Sequence, residues 1–116
     1  MDIRKFMRSF VYAFQGMIAA TKEQNMRFHL ISACIVSIAG FFTGLTTMEW
    51  IAIVVAIMLV IGAEMINSAI ERVVDLATAE LHPLAKAAKD IAAGAVLVFA
   101  IGSVIIGVLI FFPKWF

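Results

Sequence analysis

Two regimes of apolar spacing divide the chain. Near the N-terminus, Ile3, Phe6, Met7, Phe10, Phe14, Met17 and Ile18 recur at helical intervals, while Arg4, Lys5, Arg8, Tyr12 and Gln15 share the opposite side. That pattern predicts an amphipathic helix lying in a membrane interface. From Thr21 to His29 the chain is polar and charged, which sets Glu23, Asn25 and Arg27 at headgroup level. Beyond it the apolar runs become continuous, near Leu30 to Leu45, Trp50 to Ile70 and Ile91 to Phe112. Each approaches the roughly 20 residues that a hydrocarbon layer of about 30 Å demands. The segment after Asp75, LATAELHPLAKAAKD, should leave the membrane, break near His82-Pro83 and start the last helix near Ala85, because proline blocks continuation of a helix that enters it. The expected architecture is an all-α integral membrane protein with a single domain over 1–116. Residues 1–28 form the amphipathic region, 29–48, 50–70 and 91–112 the transmembrane helices, and 71–90 a connection on the same side as the N-terminus.

Composition agrees: 64% of the 116 residues are hydrophobic and the mean hydropathy is +1.05, too apolar for a water-soluble domain. The net charge of +1 suggests no nucleic-acid partner. Its distribution is more telling. Arg4, Lys5, Arg8, Lys22 and Arg27 precede the first span, the connection from Thr46 to Glu49 has no basic residue, Arg72, Lys86 and Lys89 lie between the second and third, and only Lys114 follows the last. By the positive-inside rule the N-terminus and the second connection face the cytoplasm. The lone Cys34 forms no internal disulfide. No cleavable signal peptide is expected, since the basic N-terminus leads into an amphipathic segment rather than a short apolar core. Gly40-FFT-Gly44 and Ser103-VII-Gly107 align small residues on one face, which permits close helix approach within a chain or between subunits.

One residue breaks the apolar logic. Glu64 interrupts the run from Trp50 to Ala63, and Asn67, Glu71 and Asp75 follow it. At about 100° per residue these positions fall within a roughly 80° arc, so one wall of the helix is acidic from inside the apolar layer to the water. A carboxylate at a helix centre costs about 2.5 kcal/mol or more to insert. Glu64 precedes Glu71 by about 10 Å along the axis, just under the cytoplasmic headgroups. It is a candidate general base; the alternative is a protonated carboxyl, or one bonded to a neighbouring helix. Oxygen ligands at a water boundary (Glu71, Asn67 and, from the preceding region, Glu23) suit Mg²⁺ held through one or two carboxylates and substrate phosphates. The same residues also fit a solvated helix end paired with Arg72 and Lys89. Lys86 and Lys89, with Asp90, stand where they can neutralise phosphate or simply snorkel to water; His82 reads as a turn residue. No GxxxxGK[ST] loop, GxGxxG turn, kinase catalytic loop or Cys/His zinc cluster occurs, so nucleotide chemistry here needs an unusual scaffold. A proton-coupled transporter would carry polar residues on toward the outer leaflet, and Ile51 to Ala63 has none. A purely structural adaptor leaves the acidic stripe unexplained.

The stretch EMINSAIERVVD, read as Glu64-x-x-Asn67-Ser68-Ala69-x-Glu71-x-x-Val74-Asp75, resembles the signature of the prokaryotic diacylglycerol kinase family, small trimeric membrane kinases unrelated to soluble kinases. Tyr12-AFQ-Gly16, Glu23-QNMRFH and His82-PLAKAAKDIAAGAVLV stand in the family's order, so the likeness spans nearly the whole chain. The resemblance implies Glu64 as the base that takes a proton from a lipid hydroxyl, and Glu23 and Glu71 as the glutamates that hold Mg²⁺ with the nucleotide. It implies Asn67 as a polar residue of the same site. Lys5, Tyr12, Glu80, His82, Lys89 and Asp90, with Glu23 and Glu71, match nucleotide contacts, and Lys89 would stabilise charge on the transferring γ-phosphate. Glu23-QNMRFH and His82-PLAKAAKDIAAGAVLV look more like the undecaprenol kinase branch than the diacylglycerol branch. The likeness implies ATP-dependent phosphorylation of undecaprenol to undecaprenyl phosphate, the carrier lipid for cell-wall precursors, by a homotrimeric helical bundle in a bacterial cell membrane with its active site at the cytoplasmic face. Conversion of diacylglycerol to phosphatidic acid is the alternative.

Overall fold

The structure, a computed structural model, describes residues 1–116 as four α-helices and no strand. Asp2 starts α1 (Ile3–Ala20): its carboxylate accepts the backbone N–H groups of Arg4 and Lys5 at 3.0 and 3.3 Å, two of the donors that a helix N-terminus leaves orphaned. The helix stops at Thr21, and Arg27 Nε donates to the Thr21 carbonyl at 3.0 Å, pinning the turn. The chain turns at Thr21–Glu23, inside the polar stretch between the amphipathic segment and the first span, and α2 (Gln24–Thr43) begins before position 29. It also ends before 48, because Gly44 adopts φ +80°, a conformation that only glycine accepts readily, and its N–H returns to the Gly40 carbonyl at 3.0 Å.

Helix α3 (Thr47–Ala77) opens with a capping box: the Thr46 hydroxyl accepts from Glu49 N–H at 3.2 Å and Glu49 Oε1 accepts from Thr46 N–H at 2.9 Å. Helix α4 (Pro83–Trp115) opens on His82, whose Nδ1 accepts the Leu84 N–H at 3.0 Å, with Pro83 in the first turn, where its missing N–H costs nothing. The break expected near His82-Pro83 is therefore real. The non-helical connection around it is only Thr78–His82, and both helices run on past the apolar segments into the stretch 71–90. At 1.5 Å per residue, α3 and α4 are about 46 and 50 Å long, well beyond the apolar layer each has to cross.

Helices α3 and α4 form the principal interface and run antiparallel, as their cross-contacts require: Lys89 Nζ meets Asp75 Oδ1 at 2.6 Å, Ser103 Oγ meets the Ala56 carbonyl at 3.4 Å, and Lys114 Nζ meets Glu49 Oε1 at 3.0 Å. Along these two helices Ile53, Ala56, Val60, Ala92, Val96 and Phe111 are buried. Small residues here bring the backbones close enough for dispersion to act where lipid removes the hydrophobic driving force. Helix α2 joins this pair at the Trp50 end. A Cβ on Gly40 would stand 2.8 Å from Trp50 Cη2 and 2.9 Å from Leu45 Cδ1, so the glycine is required by the indole. Of the small-residue pairs, then, Gly40 serves close approach and Gly44 serves helix termination. Ser103 faces α3, whereas Gly107 borders open space.

Only 12 of 116 residues are buried, and large apolar side chains such as Phe41, Phe42, Leu97, Val98 and Leu109 are exposed. A surface of that kind is stable only where water is absent. Helices α2, α3 and α4 are each long and apolar enough to cross a membrane.

Candidate active site

The polar side chains collect on one face of α3, where the turn before α2 and the start of α2 pack against it. Glu64, Asn67 and Ser68 are 2%, 4% and 2% exposed. Spacings of three, four and seven put Glu64, Asn67, Ser68 and Glu71 on one side, and Ala20 and Met26 are buried nearby in sequence to the turn that covers them. Burial of this kind is costly unless each group finds a partner. Partners are present for most. The Ser68 hydroxyl donates to Glu23 Oε1, Arg72 Nη1 reaches the same oxygen at 2.8 Å, and Arg72 also donates to the Ser68 hydroxyl and, at 3.3 Å, to the Ser68 carbonyl. The Ser68 hydroxyl, and with it the Arg72 guanidinium, hold the Glu23 carboxyl below its usual range against the opposing effect of partial burial. Glu23 thus stays an oxygen anion, positioned from the α2 N-cap.

Further along the face, Asn67 Nδ2 donates to Glu71 Oε1 at 3.3 Å. The other end of that amide is unmet: Asn67 Oδ1 is buried and has no hydrogen-bond partner. An orphaned buried carbonyl is uncommon, and this one belongs to the amide whose nitrogen meets Glu71. Two carboxylates and this oxygen are hard donors suited to Mg²⁺, with Glu23 held at Ser68, an i,i+3 neighbour of Glu71. No three histidine, cysteine, aspartate or glutamate side chains gather into a metal cage, so a cation here would need ligands from a bound phosphate chain, the usual habit of Mg²⁺. Within those limits the residues fit the ion.

Glu64, one turn deeper, has a single charged or polar neighbour at ion-pair distance: His29 Nε2 of α2, 3.5 Å from Glu64 Oε2. Beyond His29 opens an apolar cavity of about 530 Å³ between α2, α3 and α4, with Phe28, Val36, Val60, Val104 and Phe111 among its walls.

The other residues singled out from sequence are distributed around the end of this face. Lys89 of α4 is tied to Asp75 at 2.6 Å, and Lys86 to Asp90 at 2.6 Å one turn apart on α4. Asp75, the outermost residue of the stripe, is exposed. Glu80 lies in the connection, its N–H donating to Thr78 Oγ1 at 3.1 Å, and His82 caps α4. Lys5 and Tyr12 stand exposed on α1, and within one chain their side chains meet none of the carboxylates. The structure therefore places Glu64, Asn67 and Glu71 along one face of α3 with Glu23 held at its edge through Ser68 and Arg72, sets Lys89 beside the stripe through Asp75, and leaves Lys5, Tyr12, Glu80, His82 and Asp90 away from it. It adds Ser68 and His29, and it places Arg72 and Lys89, expected as partners of a solvated helix end, in ion pairs with Glu23 and Asp75. Ser68 was legible as the neighbour of Asn67 on a stripe wider than its acidic members, and His29 as the last polar residue before an apolar helix.

Comparison with known proteins gives the arrangement its kinship. Residues 11–111 match the family described as prokaryotic diacylglycerol kinase. The chain is 50% identical over 114 residues to an undecaprenol kinase of Bacillus subtilis (strain 168), covering 97% of this chain and 93% of the relative. It is 35% identical over 103 residues to a diacylglycerol kinase of Haemophilus influenzae, 87% of each chain, and 38% identical over 107 residues to a diacylglycerol kinase of Synechocystis, 90% of this chain and 61% of that one. With three long apolar helices and a match along nearly its whole length, the chain is a multi-pass membrane protein that belongs to the prokaryotic diacylglycerol kinase family.

Proposed function

We infer that this lipid kinase uses ATP to phosphorylate undecaprenol, yielding undecaprenyl phosphate at the cytoplasmic face of a bacterial membrane. The substrate assignment rests on the 50% identity to the Bacillus subtilis undecaprenol kinase, against 35% and 38% for the two diacylglycerol kinases. Phosphorylation of diacylglycerol is the second reading, favoured by the number of relatives that carry that activity in their names. Orientation follows from the basic residues Arg4, Lys5, Arg8, Lys22 and Arg27 flanking the Glu64 end of the bundle. On this reading α1 lies in the interface with Phe6, Phe10 and Phe14 toward the acyl chains.

The observation that carries the mechanism is a carboxylate, 2% exposed, one helical turn below an unpartnered buried amide oxygen. A lipid alcohol diffuses laterally to Glu64 while ATP arrives from water above Glu71. The lipid oxygen forms a bond to the γ-phosphorus, the bond from that phosphorus to the β,γ-bridging oxygen breaks with its electron pair leaving on ADP, and the hydroxyl proton passes to Glu64. Glu23, Glu71 and Asn67 Oδ1 would hold Mg²⁺, which when bound neutralises charge on the phosphates. Lys89, released from Asp75, supplies a cation toward the γ-phosphate, and Lys5, Tyr12, Glu80, His82 and Asp90 bind the rest of the nucleotide. Lys5 and Tyr12 find no partner within their own chain, and large apolar faces of α2 and α4 are exposed; we propose a homotrimer in which neighbouring copies cover these faces and complete each site.

The test is a radiolabelled-ATP assay comparing undecaprenol with diacylglycerol in one detergent. Faster label transfer to undecaprenol is the expected result. Preference for diacylglycerol moves the chain to the other branch, and transfer to neither lipid removes the kinase reading.

A further inference from the structure

Glu64, whose side chain is 3% exposed, needs a polar partner to fix the direction in which its oxygens point. Around it, Asn67 is turned toward Glu71, and Ser68 and Arg72 are committed to Glu23. What remains is His29. Its Nε2 lies 3.5 Å from Glu64 Oε2, its side chain is 14% exposed, and no other hydrogen bond engages the ring. Ser32, one turn further along α2, does not compete, since its hydroxyl donates to its own helix at the Phe28 carbonyl.

The ring has a second face. His29 lines the cavity between α2, α3 and α4, whereas Glu64 does not. The histidine therefore stands between the carboxylate and the apolar space that opens toward the lipid-crossing part of the bundle. A separation of 3.5 Å is longer than a formed bond of about 2.7–3.2 Å, and catalytic hydrogen bonds commonly tighten only when substrate is in place.

We propose that His29 is the positioning residue for the base: its Nε2–H holds Glu64 Oε2, leaving Oε1 to receive the proton of a lipid hydroxyl that enters beside the ring. The proposal rests on the reading of Glu64 as the base. His29 neither gains nor loses a proton in the step; it fixes which carboxylate oxygen is free and in which direction it points, the role that an orienting partner plays for other buried catalytic groups. A histidine serves because its ring is rigid, reaches across from α2, and offers a donor on one edge and an apolar flank toward the cavity.

The experiment uses the full chain in one detergent, with His29→Leu, His29→Gln and His29→Asn compared for kcat, KM for Mg-ATP and thermal midpoint. His29→Leu should lower kcat about 10- to 100-fold, the range for loss of an orienting partner, with KM for Mg-ATP unchanged. His29→Gln should restore most of the rate, because its amide nitrogen reaches as far as Nε2, and His29→Asn, whose amide stops short, should not. The double variant Glu64→Gln/His29→Leu should be no slower than Glu64→Gln alone, since a residue acting through the base has nothing left to orient. A normal kcat in His29→Leu, or equal rates for His29→Gln and His29→Asn at equal thermal midpoints, overturns the proposal while leaving Glu64 in its role. Should His29→Leu fail to fold, the Gln and Asn variants decide the question alone. A normal rate in Glu64→Gln removes the base itself, and the proposal with it.

Discussion

The two ends of the α3–α4 pair solve the same problem, polar groups at the edge of an apolar helix bundle, in opposite ways. At the Glu49 end the polar groups pair with one another: Glu49 caps its own helix and meets Lys114, Trp115 Nε1 donates to Thr43 Oγ1 at 3.0 Å, and Trp50 fills the space above Gly40. Glu49 and Lys114 are 24% and 28% exposed as side chains, so the pair is less deeply covered than Glu64. At the Glu64 end the polar groups are buried more deeply and satisfied less completely. Asn67 Oδ1 has nothing to bond, and Glu64 has one neighbour at the margin of contact. A closed network rigidifies a bundle, whereas an open one in a buried place leaves polar atoms free to meet water or a ligand. The proposed function makes use of that difference within one pair of helices.

That contrast can be broken by substitution, beginning where the effect should be greatest. Glu71→Gln removes a charge from the open end and should raise the Mg²⁺ concentration for half-maximal activity about 10- to 100-fold; an unchanged Mg²⁺ titration would contradict the assignment. Asn67→Leu deletes the orphaned acceptor together with the Glu71 bond and should lower kcat about 10-fold or more, yet leave the thermal midpoint nearly unmoved or raised, because an unsatisfied buried oxygen is lost. A large fall in midpoint would make Asn67 a structural residue. Gly40→Ala, at the closed end, should cost about 1–3 kcal/mol by driving a Cβ into Trp50, read as a lower unfolding midpoint with the specific rate of the folded fraction preserved. Lys114→Ala should be smallest, about 0.2–1 kcal/mol for a partly exposed pair, with kinase rate unchanged; a strong effect on turnover would erase the distinction between the ends.

The architecture was legible in the sequence where a single local signal governed it. Continuous apolar runs announced the three long helices, and His82-Pro83 announced the break between the last two. Helix ends were less legible. The run of hydrophobicity marks what lipid can cover, whereas α3 and α4 persist past it because backbone hydrogen bonding and the Asp75–Lys89 pair continue into the polar region. Gly44 ended α2 early by conformation, a choice that hydropathy does not encode. Within the site, helical periodicity alone aligned Glu64, Asn67 and Glu71. The partnerships of Glu23 with Ser68 and Arg72, 45 and 49 residues away, and of His29 with Glu64 depend on how α2 lies against α3. No spacing rule reaches across that distance. Family likeness named Glu23 without supplying its partners, and it gave no role to Ser68, Arg72 or His29.

The most direct test of the proposed chemistry is the turnover of Glu64→Gln measured beside its affinity for Mg-ATP. The amide keeps the shape of the buried side chain but accepts no proton, so phosphorylation of the lipid should fall by about 10²- to 10⁴-fold while nucleotide binding stays within about two-fold of the unaltered protein. Near-normal transfer in that variant would contradict the assignment, since Glu64 would then be a buried carboxylate with no part in the chemistry.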